Sequence, residues 1–435
     1  MRISTVTMFE QSVKSLNRQQ GDFLKVGQQI ATGRRVVNPS DDPQAASRAV
    51  GVSQAKAVTQ QFADARISAR NSLAQSESVL NSVSDAIISA KTLLVQAASD
   101  TLSDVDRQSV ASELRGVYET LIGQANATDG NGRYLFGGYN DDAPPFARTE
   151  FADGAAATID YRGDENAREQ RIDASRLMQV TDNGNTIFRS VPSGAGYVAR
   201  AERDEGVRNE GSVTFTSGPS RIDPSAGGFG QPFTIAFDVD DDTGEASWQA
   251  LAFERDGDGN PVLDGDGNPN LVQIATGEYT SGQSLTVAGV SITLQGLPAD
   301  GDAIQVRPAN ADDANQDLFK SLKDAIDVLE LDQQGTAENR ALFRNTLNSV
   351  MRELDNNLDN VLTVRASVGA RLNELDVVDS VAGNRMLNYE QTLSDLVDLD
   401  YAEAISEYSL RQVGLQAAQK AFVDIKSMSL FDYLR

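Results

Sequence analysis

Between Leu347 and Leu396 the apolar residues recur at spacings of four and three. Leu347, Met351, Leu354, Leu358, Val361, Arg365, Val368, Leu372, Leu375, Asp379, Ala382, Met386, Tyr389, Leu393 and Leu396 hold this register, and thirteen of the fifteen are apolar. The spacing predicts one helix of about 75 Å at 1.5 Å per residue. A rod of that length cannot bury its own stripe, so other helices must lie along it. After Leu396 the phase slips by one residue. Tyr401, Ala404, Tyr408, Arg411, Leu415, Ala418, Phe422 and Ile425 then continue the seam.

The other end of the chain carries matching patterns. Val6, Phe9, Val13, Leu16, Gln20, Phe23, Gly27 and Ile30 form a first heptad seam, which stops at Thr32-Gly33, a glycine C-cap. A turn through Asn38-Pro39-Ser40 leads to Asp42-Pro43, an N-cap followed by proline at the first helical position. The second helix is expected from Pro43 to Ala98, with Leu73, Ser76, Leu80, Val83, Ile87, Ala90, Leu94 and Ala97 in phase. A third, from Asp106 to Ala127, carries Val110, Leu114, Val117, Leu121 and Ala125 and ends at Gly130-Asn131-Gly132. A short helix is marked by Phe319, Leu322, Ile326 and Leu329.

From Phe136 to Pro308 the helical period vanishes. Short segments at Thr158–Tyr161, Thr186–Val191, Ser212–Thr216, Phe233–Val239, Ser247–Phe253, Ser284–Leu294 and Ala303–Val306 alternate, separated by Gly, Pro, Asn and Asp. The expected fold is α+β: an elongated, coiled-coil-like bundle of long N- and C-terminal helices with an antiparallel β region inserted in the middle. The expected segments are a terminal-helix segment (1–40), the N-terminal half of a helical core (41–140), a variable β region (141–310), the C-terminal half of the core (311–396) and a second terminal-helix segment (397–435).

Composition closes several functional classes. The formal net charge of −25 repels phosphate backbones and anionic membrane surfaces, so nucleic acid is not an expected partner. The chain has no cysteine and no histidine. That removes thiolate chemistry, disulfides, the commonest general base and the commonest zinc ligand. Met1-Arg2-Ile3-Ser4-Thr5-Val6-Thr7 has no apolar core or cleavage pattern of a secretory signal. No run approaches the ~20 apolar residues of a membrane span, and membrane insertion is not expected. These features alone point to the cytoplasm.

Three local motifs bear on chemistry. The repeats Asp256-Gly257-Asp258-Gly259-Asn260-Pro261 and Asp264-Gly265-Asp266-Gly267-Asn268-Pro269 have calcium-loop composition. An EF-hand needs Gly at its sixth position and Glu at its twelfth, where these have Pro261 or Pro269 and Gly267 or Ala275. Turn chemistry is the favoured reading and weak cation binding the other. Asp240-Asp241-Asp242 reads as a solvated turn. Gly137-Gly138 lacks the phosphate-loop pattern and reads as a tight bend leaving the helical core. No spacing singles out a carboxylate pair for acid–base work. No catalytic residue, cofactor or metal ligand is assigned, and an enzyme is not expected.

Several segments carry a family resemblance. Met1-Arg2-Ile3-Ser4-Thr5, Gln28-Gln29-Ile30-Ala31-Thr32-Gly33-Arg34-Arg35, Pro39-Ser40-Asp41-Asp42-Pro43-Gln44-Ala45-Ala46 and Val95-Gln96-Ala97-Ala98 resemble the N-terminal region of flagellins and hook-associated proteins. Gly132-Arg133-Tyr134-Leu135-Phe136-Gly137-Gly138 departs from ordinary flagellin. With Tyr161-Arg162-Gly163-Asp164, it resembles the hook–filament junction proteins, the hook-associated protein 3 family. So do Asp395 to Ala404, Leu415-Gln416-Ala417-Ala418-Gln419 and Ser429-Leu430-Phe431-Asp432-Tyr433-Leu434. The resemblance covers residues 1–165 and 311–435, and residues 200–310 match nothing in it.

The resemblance implies a structural protein of the bacterial flagellum. It would be exported unfolded through the flagellar type III apparatus and reside outside the cell. Its implied partners are the first hook-associated protein, flagellin, copies of itself in a ring, and a cytoplasmic export chaperone on the C-terminal helical region. The expected assembly seam between subunits is Val6, Phe9, Val13, Leu16, Phe23 and Ile30 with Tyr401, Ala404, Tyr408, Leu415, Ala418, Phe422 and Ile425. Leu347 to Leu375 could pack within the subunit or between subunits. Gln20, Arg365, Asp379 and Arg411 could set register or be solvated positions at a loose seam. Seams this thin do not offset the entropy of ordering the helices, so both termini are expected to order on assembly. A flagellin-type filament subunit is the alternative, distinguished by self-polymerisation into long filaments. A fibre protein with coiled-coil ends would not need flagellar motifs at both termini.

Overall fold

A computed structural model describes residues 5–427, apart from 100–101, 150–157, 195, 204–206, 216–217, 241, 256–261, 264–268, 312–313 and 332–335. The calcium-like repeats, the opening Met1 to Ser4 and the closing Ser429 to Leu434 lie outside the described residues, save Pro269. The chain forms two compact units: Met1–Ile67 with Arg171–Arg176 and Leu375–Arg435, and Ser68–Gln170 with Leu177–Glu374.

The helices follow the periodicity. They are α1 (Thr5–Thr32), α2 (Pro43–Ala97), α3 (Asp104–Ala125), α4 (Leu318–Leu329), α5 (Ala337–Val397) and α6 (Tyr401–Ser427). Gly33 ends α1 at φ +68°. Asp42 caps α2 by accepting from the Ala45 amide at 3.0 Å. The phase slip after Leu396 is a helix break, where the Asp400 carboxylate accepts from the Ala402 and Glu403 amides at 2.9 and 3.2 Å and starts α6. In the first unit Arg66 is buried, pairs with Asp379 and donates to the Ile172 carbonyl at 3.0 Å. Asp379 thus leaves the apolar register to hold a buried guanidinium.

In the second unit every expected α2 seam residue from Leu73 to Ala97 is fully buried. Contrary to the expectation from the sequence, α2 is long and apolar enough by composition to cross a membrane: one window reaches a mean hydropathy of 1.2, and 44% of it is buried within the chain. Helix α3 starts two residues before the expected Asp106, because Ser103 and Asp106 form a reciprocal capping box. Val117 is only half-buried, and Tyr118 fills the core beside it. One stripe of α5 carries amides that satisfy irregular backbone: Asn345, Asn356 and Asn360 donate to the carbonyls of Val213, Ser193 and Thr186 at 2.8, 3.2 and 3.0 Å.

Two family motifs lock together beside this core. The Tyr161 hydroxyl lies 2.9 Å from the carbonyl oxygens of both Phe136 and Asp164. Asp164 accepts from the Tyr139 amide at 2.9 Å, and Asn140 donates to the Arg162 carbonyl at 2.9 Å. Gly138, at φ +70°, is the bend that permits this, since a Cβ there would collide with Asp164. The Thr186–Val191 segment is not a strand but a π-turn, Asn185–Arg189. Asn183 takes the Asn185 amide at 2.7 Å, and the turn points Phe188 into Phe136, Phe146 and Phe319. Aromatic packing overrides the local alternation there.

The remaining strands are β1 (Phe146–Thr149), β2 (Thr158–Tyr161), β3 (Glu169–Asp173), β4 (Arg176–Gln179), β5 (Tyr197–Arg200), β6 (Thr214–Phe215), β7 (Ser220–Arg221), β8 (Phe233–Val239), β9 (Ala246–Phe253), β10 (Leu271–Glu278), β11 (Ser284–Val287), β12 (Val290–Gln295) and β13 (Ala303–Pro308). One sheet runs β10-β9-β8-β13-β5; another runs β11-β12-β6 with β7 also on β12, and all these pairings are antiparallel. Phe215, Phe233, Ile235, Trp248, Leu285, Ile292 and Ile304 share the core between them. Ser284–Leu294, expected as one segment, folds on itself at Ala288-Gly289, whose φ values of 48° and 76° suit a two-residue hairpin turn. At Asp240 the carboxylate accepts from the Asp242 and Thr243 amides, making an exposed turn.

Candidate assembly surface

Within the first unit α1 and α6 lie antiparallel, pinned at one end by backbone. The Arg35 amide donates to the Val397 carbonyl at 2.8 Å, and the Leu399 amide to Gly33 at 3.0 Å. The Arg35 guanidinium reaches the Leu396 carbonyl at 2.7 Å. Gly33 is required twice, for its positive φ and because a Cβ would stand 2.8 Å from the Tyr401 hydroxyl. The turn to α2 is held by carboxylates. Asp41 accepts from the Asn38 amide at 2.9 Å and pairs with Lys25 at 3.0 Å, which together hold its pKa below the usual value.

Residues of the seam expected between subunits meet one another within this one chain. Phe23 stacks on Tyr408 with ring centroids 4.6 Å apart, and Phe9 meets Phe422 at 5.3 Å. Arg411 reaches Asp22 at 2.8 Å and Glu407 at 3.0 Å, so this polar member ties α6 to α1. Val13, Leu16, Phe23, Ile30, Tyr408, Leu415, Ala418 and Phe422 are half-buried, Ala404 is buried, and Phe9 and Tyr401 are exposed. Gln20 is exposed and Arg365, on α5, is half-buried. Val6 and Ile425 lie in the helices, but their side chains fall outside the described residues. Val26, which lies outside the heptad register, is buried; it stands three residues after Phe23.

A second apolar set lies outside the seam. Ile405, Leu410, Val413 and Val423 on α6 are 54–72% exposed, and Leu24 on α1 is 58% exposed. The heptad count concealed this set because it followed a single stripe. Its signal was the apolar residues of α6 that did not fit the register.

Chains of known kind share these features. A family model for the bacterial flagellin N-terminal helical region matches residues 3–141, and one for the bacterial flagellin C-terminal helical region matches residues 351–434. Flagellar hook-associated protein 3 of Salmonella typhimurium is 32% identical over 435 residues, spanning 100% of both chains. The Escherichia coli protein of the same name is 31% identical over 431 residues, 99% of each. The crystal structure of Xanthomonas campestris FlgL, 27% identical, superposes with a TM-score of 0.63, covering 79% of this chain and 99% of that one.

Paired terminal helices around a β insertion, with flagellin helical regions at both ends, define a flagellin-like component of the bacterial flagellum. The chain belongs to the flagellar hook-associated protein 3 family, the structural proteins of the hook–filament junction.

Proposed function

We propose that the chain forms a ring between the first hook-associated protein and the flagellin filament, with its α1–α6 pair packed against copies of itself. The observation that carries this reading is the second apolar face of α6: Ile405, Leu410, Val413 and Val423 stand in solvent in a single chain. Covering such side chains is worth roughly 1–2 kcal/mol each. Residues 1–40 and 397–435 are then the inner layer, 41–140 and 311–396 the helical core, and 141–310 the outer β region. The role is structural and not catalytic.

Export as an unfolded chain through the flagellar type III apparatus fits a sequence without cysteine, which has no disulfide to re-form. A cytoplasmic chaperone would shield the apolar α6 region beforehand, and the exported protein resides on the flagellum outside the cell.

Electron microscopy of a strain lacking the gene, with an assay of flagellin in the medium, tests the reading. Bare hooks with abundant leaked flagellin are expected. Bare hooks without any filament subunit in the medium would make this chain the filament subunit instead, and normal filaments would overturn both.

A further inference from the structure

The first unit carries two unmatched charge groups. On α1, Lys14 and Arg18 are one helical turn apart, exposed, on the side away from the Phe23 seam. Neither has an ion-pair partner among the described residues. Where α5 passes into α6, Asp395, Asp398, Asp400 and Glu403 are all exposed. Asp400 is occupied as the α6 cap, whereas Asp395, Asp398 and Glu403 have no ion-pair partner among the described residues. Arg34 is bridged to Asp398 through the backbone alone, and Arg35 is engaged by Asp42. The acidic excess remains.

These groups cannot meet within one chain. Phe23 lies opposite Tyr408 and Gly33 beside Tyr401, so the acidic group sits at the Gly33 end of the pair. Lys14 and Arg18 are about 25 Å away along α1, at 1.5 Å per residue. A second copy displaced along the helix axis by that distance brings the two together. The exposed apolar face of α6 begins directly after the acidic group, at Ile405.

We propose that Lys14 and Arg18 of one copy dock on the Asp395–Glu403 carboxylates of a neighbouring copy, and that this contact sets the axial stagger between subunits. The inference rests on the ring reading above. Contacts between unlike patches are heterologous: they close into a ring where the rotation closes and run on as a helical array where it does not. Charge pairs of this kind fix register and orientation, and the apolar α6 face supplies the buried area.

The test exploits the absence of native cysteine. A chain carrying Arg18→Cys and Asp398→Cys is expressed in the deletion strain, flagella are isolated, and a short bismaleimide is added. Covalent dimers and higher ladders are expected, absent from either single variant. Filaments that regrow while no ladder forms would overturn the contact and leave the ring reading intact. Charge reversal provides the second arm. Lys14→Glu with Arg18→Glu should lower the amount of chain recovered in flagella about tenfold. Adding Asp395→Lys and Asp398→Lys should recover most of it. Recovery unchanged by the first pair of substitutions, or not restored by the second, would also overturn the contact. Absence of the unaltered chain from isolated flagella would defeat the ring reading itself.

Discussion

The Tyr408 ring lies against the Phe23 ring, with centroids 4.6 Å apart and planes tilted by 30°. Gly27, one turn after Phe23, also lies beside the Tyr408 edge: a Cβ there would stand 3.6 Å from it, in ordinary contact. Tyr408 therefore spans two turns of α1. Tyr408→Ala should weaken the helix pair by about 2 kcal/mol, less than for a fully buried aromatic. Limited trypsin digestion of the monomer should then release α6 earlier, at Arg411 and Lys420. The unaltered monomer should also lose α1 and α6 before its β region, because this seam is only half-buried.

Gly138 is predicted to be intolerant. Gly138→Ala places a Cβ against Asp164 at a left-handed backbone position. The cost should be on the order of 2–3 kcal/mol, seen as a fall of several degrees in calorimetric Tm. Tyr161→Phe, which removes the hydroxyl near the Phe136 and Asp164 carbonyls, should cost about 1–2 kcal/mol. A Tm unchanged by both would show that the joined motifs do not support the core.

Asp324 gives a pH dependence. Burial pushes its pKa from 3.8 to about 6, with Lys320 opposing and Glu353 reinforcing the shift. The folded value lies above the unfolded one, so the ionised carboxylate costs stability above pH 6. That cost is relieved as pH falls from 6 toward 3.8. Asp324→Asn should therefore stabilise the protein by roughly 1–2 kcal/mol at pH 7.5 and by almost nothing at pH 4. Denaturant titrations at the two pH values give the comparison, and an equal effect at both would show that ionisation is not the cause.

The Asp-Gly-Asp-Gly repeats should act as turns. Calorimetric Tm is expected to be the same in millimolar calcium and in excess chelator. A rise of several degrees with calcium would make them cation sites.

Helix existence and phase were legible because they are local. The 3-4 spacing of α5, the Asp42-Pro43 start of α2 and the Gly33 stop of α1 each depend on residues within a turn or two. The family motifs were legible for the same reason, as contiguous strings. Strand pairing was less so. Phe233–Val239 alternates and forms the strand its alternation predicts. Leu271–Glu278 is an exposed edge strand without clean alternation, and only its register against Ala246–Phe253 identifies it. Thr186–Val191 alternates yet forms a π-turn, because Phe188 is worth more among three other aromatic rings than on a pleated surface.

The sequence by itself determined that the two ends are seamed helices, that the middle is β, and to which family the chain belongs. The tertiary structure decided which apolar residues are occupied within the chain. Tyr408 and Phe422 are turned toward α1, whereas Ile405, Leu410 and Val413 of the same helix are left exposed. Periodicity reports that a stripe needs a partner, but which helix covers it depends on residues some four hundred positions away, whose arrangement is set only by packing.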